Sequence, residues 1–283
     1  MRPSVSLALL FMAGALRIFG ESGTGRLDVP NGSLEYDVAG RGSAVILIHG
    51  GLVDRRLWDG QVGWLAAEHR VVRYDLRGLG KSSTATAAYS PLDDLDRLMR
   101  RLKIQKAVLV GLSLGGMVAM DFALEHPERV EALVLCAPGL RGFPSNPSEQ
   151  LKTAYGAIYR NEPEGIGLLL NTGLGAVTPE ARSKMQVMLT ENIRRALRAD
   201  GKLVQWPMPL TIERLPQIKS PTLLFIGTED EPELIAIADL LAQKIPSATK
   251  VVLSDAKHHL NLDQPQNFDQ HARDFLARLS PKW

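Results

Sequence analysis

The sequence predicts an α/β fold, a mostly parallel central sheet with helices on both faces, on three observations. Short apolar runs recur at Ala44–Ile48 and at 71–75, 107–111, 132–136, 222–227 and 250–255. Runs of this kind fit strands buried on both faces, as parallel strands are. Helix-like segments separate most of them, which is the alternation an α/β sheet requires. The stretch before the first run behaves differently. Two alternating segments flank Asn31-Gly32, a type I′ hairpin signal that places an antiparallel pair at one edge of the sheet.

A second turn, Gly40-Arg41-Gly42, leads from this hairpin into the first buried run. The strand and helix rhythm then holds until Leu140 and breaks until Leu210, where the chain offers three helix candidates and no strand. One runs from near Pro147 to near Arg160, and another begins at Pro163. The longest starts at Thr178-Pro179-Glu180, a cap followed by proline at the first helical position, and stops by Asp200-Gly201. "QWPMPL" at 205–210 returns the chain to the core. Residues 140–210 thus read as a helical cap inserted into a core made of 23–139 and 211–283. A cap there sits over the carboxyl ends of the strands, where open α/β sheets bind ligands. Leu168–Leu170, Met185, Met188, Trp206 and Met208 are candidates to line an apolar pocket, although apolar helix residues more often pack a helix onto its neighbour.

The first 22 residues have their own character. Arg2 precedes an apolar stretch from Val5 to Leu16, too short to span a bilayer, which needs about 20 apolar residues. With Ala13-Gly14-Ala15 as a cleavage site it reads as a secretory signal. A retained anchor or a helix packed on the domain is the alternative, and Arg17 close behind the stretch favours these. Cleavage implies a secreted or periplasmic protein, retention a cytoplasmic or membrane-anchored one. No stable membrane span is expected.

Composition excludes several classes. Hydrophobic residues at 45% and charged residues at 23% are ordinary for a globular protein. Lys plus Arg number 33 against 31 Asp plus Glu, with no basic patch, so nucleic acid is not an expected partner. Cys136 is the single cysteine, which forbids an intramolecular disulfide. It lies in the apolar "ALVLCAPG" and reads as a buried small hydrophobe. No His/Cys/Asp cluster has metal-ligand spacing, and no metal or organic cofactor is expected.

The chemistry centres on "VLVGLSLGGMVAM" at 108–120. A strand that turns into a helix within one residue strains that residue, and its neighbours must be small. Gly111 and Gly115 flank Ser113 at minus two and plus two, the G-x-S-x-G spacing of a nucleophile elbow. The following helix aims its first N–H groups and the positive end of its dipole at the serine. Glycine-rich pentads also arise by chance, so the partners decide. A serine hydroxyl needs a base near neutral pH. Of six histidines, His69, His126 and His271 lie in surface or helical contexts, and His49 is held in a turn. His258 and His259 follow the last core strand in a loop, the better place for a base. The acid that orients an imidazole is sought in "FIGTEDEP", which offers Glu229, Asp230 and Glu231.

Four stretches now resemble one family, the α/β-hydrolase fold, in its esterase, lactonase and perhydrolase-like branch with a small helical cap. "LIHGGLVDRRLWDGQ" resembles the family's oxyanion loop and "YDLRGLGKSS" its Asp-x-Arg-Gly-x-Gly-x-Ser turn. "GLSLGG" resembles its elbow, and "LPQIKSPTLLFIGTEDEP" with "AKHHLNLDQPQNF" its acid and histidine loops. The resemblance covers roughly residues 27–139 and 211–279. It implies Asp230 as the acid, three residues after the glycine that ends its strand. It implies His258 as the base, with Asp263 five and Pro265 seven positions on. It also implies an oxyanion hole from the backbone N–H groups of Leu114, the residue after the nucleophile, and Gly51. Asp75 and Arg77 resemble the family's structural turn, and His49 reads as a structural turn residue, with a role in the site as its alternative. Lys257 stands where the family usually has glycine, a departure that bears on the loop's conformation.

"GLGKSS" at 78–83 resembles a P-loop, but the required earlier glycine is Asp75, which repels phosphate. The expected function is hydrolysis of a small-to-medium, largely apolar ester or lactone by Ser113, His258 and Asp230, the partner being a small acyl compound. Carbon–carbon bond hydrolases and cofactor-free perhydrolases use the same three residues. A ligand-binding receptor with little turnover is the alternative of another class.

Overall fold

An eight-stranded sheet forms the frame of the computed structural model, which describes residues 22–279. Along the chain its strands are Gly23–Val29 (β1), Gly32–Ala39 (β2), Ala44–Ile48 (β3), Arg70–Tyr74 (β4), Ala107–Leu112 (β5), Val130–Cys136 (β6), Thr222–Gly227 (β7) and Ala248–Leu253 (β8). The order in space is β1-β2-β4-β3-β5-β6-β7-β8. β1 and β2 are antiparallel, β2 joins β4 antiparallel, and every pairing from β4 to β8 is parallel. This is the α/β-hydrolase arrangement of a mostly parallel sheet with helices. The signal-like segment lies outside the described residues, Ser22 excepted. Among the described residues no helix is long and apolar enough to cross a membrane.

One local expectation needs correction. The hairpin forms, but its two turn residues are Pro30 and Asn31, because Val29 pairs with Gly32. Proline holds φ negative at the first central position, and only Asn31 has φ positive, at 60°. A type I′ turn needs positive φ at both positions, whereas proline followed by a positive-φ asparagine suits type II. Gly32 instead opens β2, where an added Cβ would press on Ser83 Oγ at 2.5 Å.

The helices are Asp59–Glu68 (α1), Pro91–Arg101 (α2), Leu114–Glu125 (α3), Glu149–Tyr159 (α4), Gly165–Asn171 (α5), Pro179–Ala196 (α6), Thr211–Arg214 (α7), Pro232–Lys244 (α8), Leu260–Asp263 (α9) and Pro265–Leu279 (α10). α3 is buried along most of its length, including Val118, Met120, Phe122 and Leu124. Its one internal charge, Asp121, accepts from Arg141 at 2.9 Å and from the Thr211 hydroxyl, which compensates for burying a carboxylate.

The sheet order also locates a crevice. The connection from β3 leads to β4 on one side, and β5 then lies on the other side of β3. Connections that leave a sheet in opposite directions open a gap at the strands' carboxyl ends. Here that gap is bounded by the Gly50-Gly51 loop after β3 and by Ser113 after β5.

Between β6 and β7 stand α4, α5 and α6. They share a small apolar core of their own, with Leu151, Ala154, Ile158, Leu169, Leu170, Met185 and Leu189 buried in it. Leu52 from the loop after β3 and Leu262 from α9 pack against it. Met188 belongs to the core of the sheet instead, so α6 is shared between the two. Met208 is 70% exposed and belongs to neither apolar core. Thr178 caps α6 by accepting from the Ala181 N–H at 3.2 Å. The helix ends at Ala196, and Asp200 caps a separate short turn through the Lys202 N–H. Asn192 fastens α6 to the loops after β3 and β4 by donating to Asp54 Oδ2 at 2.8 Å and accepting from the Gly80 N–H at 2.7 Å. Burial raises the Asp54 carboxyl, but hydrogen bonds from Arg56 and Asn192 outweigh it and hold the pKa at about 2.

Candidate active site

Ser113 sits between the last residue of β5 and the first of α3, with φ 53° and ψ −112°. A side chain with positive φ in this sparsely populated region costs on the order of 1–3 kcal/mol and persists only where the surroundings hold it. Here they do. The Ser113 N–H donates to Cys136 O at 3.0 Å, and its carbonyl accepts from the Met117 and Gly139 N–H groups at 3.1 and 3.2 Å. The flanking glycines have steric reasons. A methyl on Gly111 would overlap the Gly115 carbonyl, and one on Gly115 would overlap the Ile48 carbonyl. Gly115 therefore sets how closely the elbow approaches the end of β3. The Ser113 hydroxyl makes no hydrogen bond among the described residues.

Leu114 is the first residue of α3, so its N–H has no acceptor within the helix. The Gly50-Gly51 loop runs beside it. An added Cβ on Gly50 would lie 3.4 Å from Ser113 Cβ, whereas one on Gly51 would meet nothing within 4 Å. Leu52, next in the loop, holds φ at 64° with its side chain packed on the α4–α6 core. His49 is fully buried and braces this loop from below. Its Nδ1 donates to Gly50 O at 2.7 Å, and its Nε2 accepts the Leu76 N–H at 2.9 Å. Both ring nitrogens are thus used, burial lowers the pKa, and no lone pair is left for chemistry. Asp75 and Arg77 are likewise consumed. Asp75 accepts the Arg55 and Lys81 N–H groups at 2.9 and 2.8 Å, and Arg77 pairs with Asp94 at 2.6 and 2.7 Å.

Of the three acids after β7, Glu229 is exposed, Glu231 is buried, and Asp230 is buried against a histidine. Asp230 Oδ2 lies 3.1 Å from His258 Nδ1, while Oδ1 accepts the Glu231 N–H at 2.8 Å. In the neutral ring, Nδ1–H donates to this carboxylate and the lone pair is on Nε2. That nitrogen has no hydrogen-bond partner among the described residues. His259 stands edge-on to His258 with ring centres 5.2 Å apart, its Nδ1 3.4 Å from Gly175 O. Burial and the neighbouring imidazole push its pKa down to about 3, which keeps it neutral. The acid therefore meets His258 and not His259. The serine hydroxyl and His258 are not hydrogen-bonded in this state, which is common before substrate binds.

Lys257 needs no glycine's freedom. Its φ is not in the left-handed region, which is taken up two residues earlier by Asp255 at 50°. Its N–H donates to Asp263 Oδ2 at 3.0 Å and its amine to Asn171 O at 3.1 Å. Cys136 is fully buried and burial raises its thiol pKa strongly, so it stays protonated.

The sequence names Glu231 and Asp263 but does not show that these two carboxylates tie this loop to its surroundings. Asp263 accepts the Val177 and Thr178 N–H groups at 2.7 and 3.2 Å on its other oxygen, and Glu231 accepts the Gly173 N–H at 2.9 Å. The signal was faint: two acids beside candidate site residues, and a "TGLGA" loop between helices.

The histidine loop also explains Gly227. A methyl there would overlap the Ala256 carbonyl and press on Lys257 O at 2.7 Å. Gly227→Ala is expected to displace His258 and lower kcat about 10²-fold, since a misplacement near 1 Å costs that much. Steady-state kinetics beside a thermal melt check this; unchanged kcat in a folded variant would contradict it.

Comparison with known proteins agrees with this fold. The family model for the alpha/beta hydrolase fold matches residues 43–265. A 2-hydroxy-6-oxononadienedioate/2-hydroxy-6-oxononatrienedioate hydrolase of Paraburkholderia phymatum is 29% identical over 273 residues, covering 87% of this chain and 91% of the relative. A pimeloyl-[acyl-carrier protein] methyl ester esterase of Aeromonas hydrophila is 28% identical, covering 87% of this chain and all of the relative. Among solved structures, a thermophilic esterase from Thermogutta terrifontis superposes with TM-score 0.74 at 28% identity, over 92% of this chain and 100% of the esterase. A match across residues 43–265 of 283, on a sheet of this order, means that the chain belongs to the alpha/beta hydrolase fold family and is a hydrolase.

Proposed function

We propose that this hydrolase cleaves a small-to-medium, largely apolar ester or lactone through an acyl-enzyme intermediate. Ser113 is the nucleophile, His258 the base and Asp230 the group that orients it. The observation that carries this reading is the buried 3.1 Å contact between Asp230 Oδ2 and His258 Nδ1, which turns Nε2 away from the acid, on loops at the same sheet edge as Ser113.

Ser113 Oγ attacks the carbonyl carbon while His258 Nε2 takes the hydroxyl proton. The carbonyl oxygen becomes an oxyanion that accepts from the N–H groups of Leu114 and Gly51. When the tetrahedral adduct collapses, the bond to the leaving oxygen breaks and Nε2 returns its proton to that oxygen. A water molecule then attacks the acyl carbon by the same steps, giving the acid and free Ser113. General-base help is worth roughly 10²–10⁴-fold, and one oxyanion donor about 10²–10³-fold. Helices α4–α6 act as a cap that closes over the acyl group, with Leu52 at the junction of cap and oxyanion loop.

One relative supports a second reading. A hydroxy-oxo-dienedioate contains no ester or amide linkage, so hydrolysing it means breaking a carbon–carbon bond beside a ketone. The same three residues serve that reaction. A p-nitrophenyl ester series from acetate to decanoate, set against a 2-hydroxy-6-oxo-dienoate, separates the two. Ester turnover with a chain-length optimum is expected, and efficient turnover of the dienoate with negligible ester turnover would favour the second.

A further inference from the structure

Asp230 and His258 reside on different loops, and their spacing depends on what holds those loops together. At the base the loops bond directly, Glu229 N–H to Ala256 O at 2.9 Å. Further out, beside the two side chains, a third segment lies between them. It is the connection 172–178 between α5 and α6, and Gly173 is its contact point.

The Gly173 carbonyl accepts the His258 backbone N–H at 3.0 Å, and the Gly173 N–H donates to Glu231 Oε1 at 2.9 Å. Glu231 in turn supplies the backbone N–H that holds Asp230 Oδ1 at 2.8 Å. One glycine thus bridges the residue that carries the base and the neighbour that fixes the acid. The fit is close: a methyl on Gly173 would overlap the Glu231 backbone nitrogen. The Glu231 side chain is buried, and its second oxygen finds no partner among the described residues. A carboxylate left half-satisfied in a buried position is costly, and folding stability alone gives no reason for one here. The same connection is anchored again at Val177 and Thr178, whose N–H groups reach Asp263 on the far side of His258.

We propose that Glu231 and Gly173 form a positioning strut for the acid and histidine, so that the cap is a mechanical part of the catalytic unit as well as its cover. This rests on the serine-hydrolase reading above. Glu231 touches neither substrate nor reacting atoms. It acts by accepting one N–H, which sets the loop that holds His258 and the peptide that holds Asp230. Without that acceptor the part-buried Gly173 N–H loses its protein partner, the loops separate, and Nε2 drifts from Ser113.

The test is the rate at which a small alkyl fluorophosphonate labels Ser113, read by intact mass and peptide mapping. In that reaction the Ser113 Oγ–P bond forms, fluoride leaves, and His258 takes the hydroxyl proton, so the rate reports the serine–histidine geometry without an acyl pocket. Steady-state kinetics on p-nitrophenyl butyrate and a thermal melt accompany it.

Glu231→Ala is expected to slow labelling and kcat about 10²-fold with KM held within about threefold, the size of effect a shift near 1 Å produces. Glu231→Gln still offers an oxygen to the Gly173 N–H and recovers the rate to within about tenfold of wild type. Gly173→Ala forces the loops apart from the other side and reproduces the loss, so it decides the matter should Glu231→Ala not fold. Wild-type labelling rates in folded Glu231→Ala or Gly173→Ala would overturn the strut. So would a Glu231→Gln loss as large as that of Glu231→Ala, since the charge and not the acceptor would then matter. If wild-type enzyme is not labelled at Ser113, the serine-hydrolase reading itself fails, whatever the variants do.

Discussion

Ser113→Ala is expected to lower kcat for ester hydrolysis by about 10⁵–10⁶-fold while leaving the fold intact. The size follows from removing the atom that forms the acyl-enzyme. What remains is the contribution of the oxyanion site and of substrate binding, about 10³–10⁴-fold over water. The intact fold follows from the local structure. The Ser113 hydroxyl makes no hydrogen bond among the described residues, so no buried partner is left unpaired. Alanine meets the same strain at φ 53° as serine does, because both carry a Cβ. Stability should stay within about 0.5 kcal/mol of wild type. A double Ser113→Ala, His258→Ala variant should be no slower than Ser113→Ala alone, since the two act as a unit. Retained turnover in Ser113→Ala, or a double variant slower by a further large factor, would contradict this.

The second large effect is expected for Asp230→Asn, about 10⁴-fold in kcat near neutral pH. The direction is set by the contact on the other oxygen. Asp230 Oδ1 accepts the Glu231 N–H at 2.8 Å, so an asparagine in this place keeps its carbonyl there and turns its NH₂ toward His258 Nδ1. An NH₂ donates, so Nδ1 must become the acceptor and the proton moves to Nε2. The nitrogen that should take the serine proton then already holds one. Glu229→Gln is the control, because Glu229 is exposed and its side chain bonds to neither histidine. It should stay within about twofold of wild type, as surface changes away from a site do. Equal losses in both variants would mean that general charge near the loop, and not the tautomer, governs the rate.

The legible parts of the fold were those set by local physics. The buried strands announced themselves because apolar runs bounded by breakers have few other uses, and all six lie in or overlap strands. Thr178-Pro179 marks the start of α6 for the same reason: a side-chain cap and a fixed φ both act within one turn. The hairpin was legible but its turn was not, because the Asn-Gly signal hid the proline before it, and only the register shows which pair turns. At the candidate site, the glycines around Ser113 could be read directly, since two backbones close to contact leave no room for a side chain. Residue chemistry alone left three acids and two histidines open, and family resemblance narrowed them to Asp230 and His258. The structure brings that pair within hydrogen-bonding distance.

Contacts between distant loops were not legible. Glu231 and Gly173 are 58 positions apart, and Val177 and Asp263 are 86 apart. No periodicity or composition links such residues, because their meeting depends on the path of the whole chain between them. Lys257 is the reverse case. It departs from the expected glycine, yet the structure absorbs it with ordinary backbone angles and two hydrogen bonds.

If Ser113 carries the acyl group, rapid acid quench with mass mapping traps it there. The enzyme is mixed with a p-nitrophenyl ester for less than one turnover, quenched, digested and mapped. An acyl adduct is expected on the peptide containing Ser113, formed with a burst of p-nitrophenol and absent from Ser113→Ala. Turnover with no adduct on that peptide, or an adduct on another residue that persists in Ser113→Ala, would contradict it.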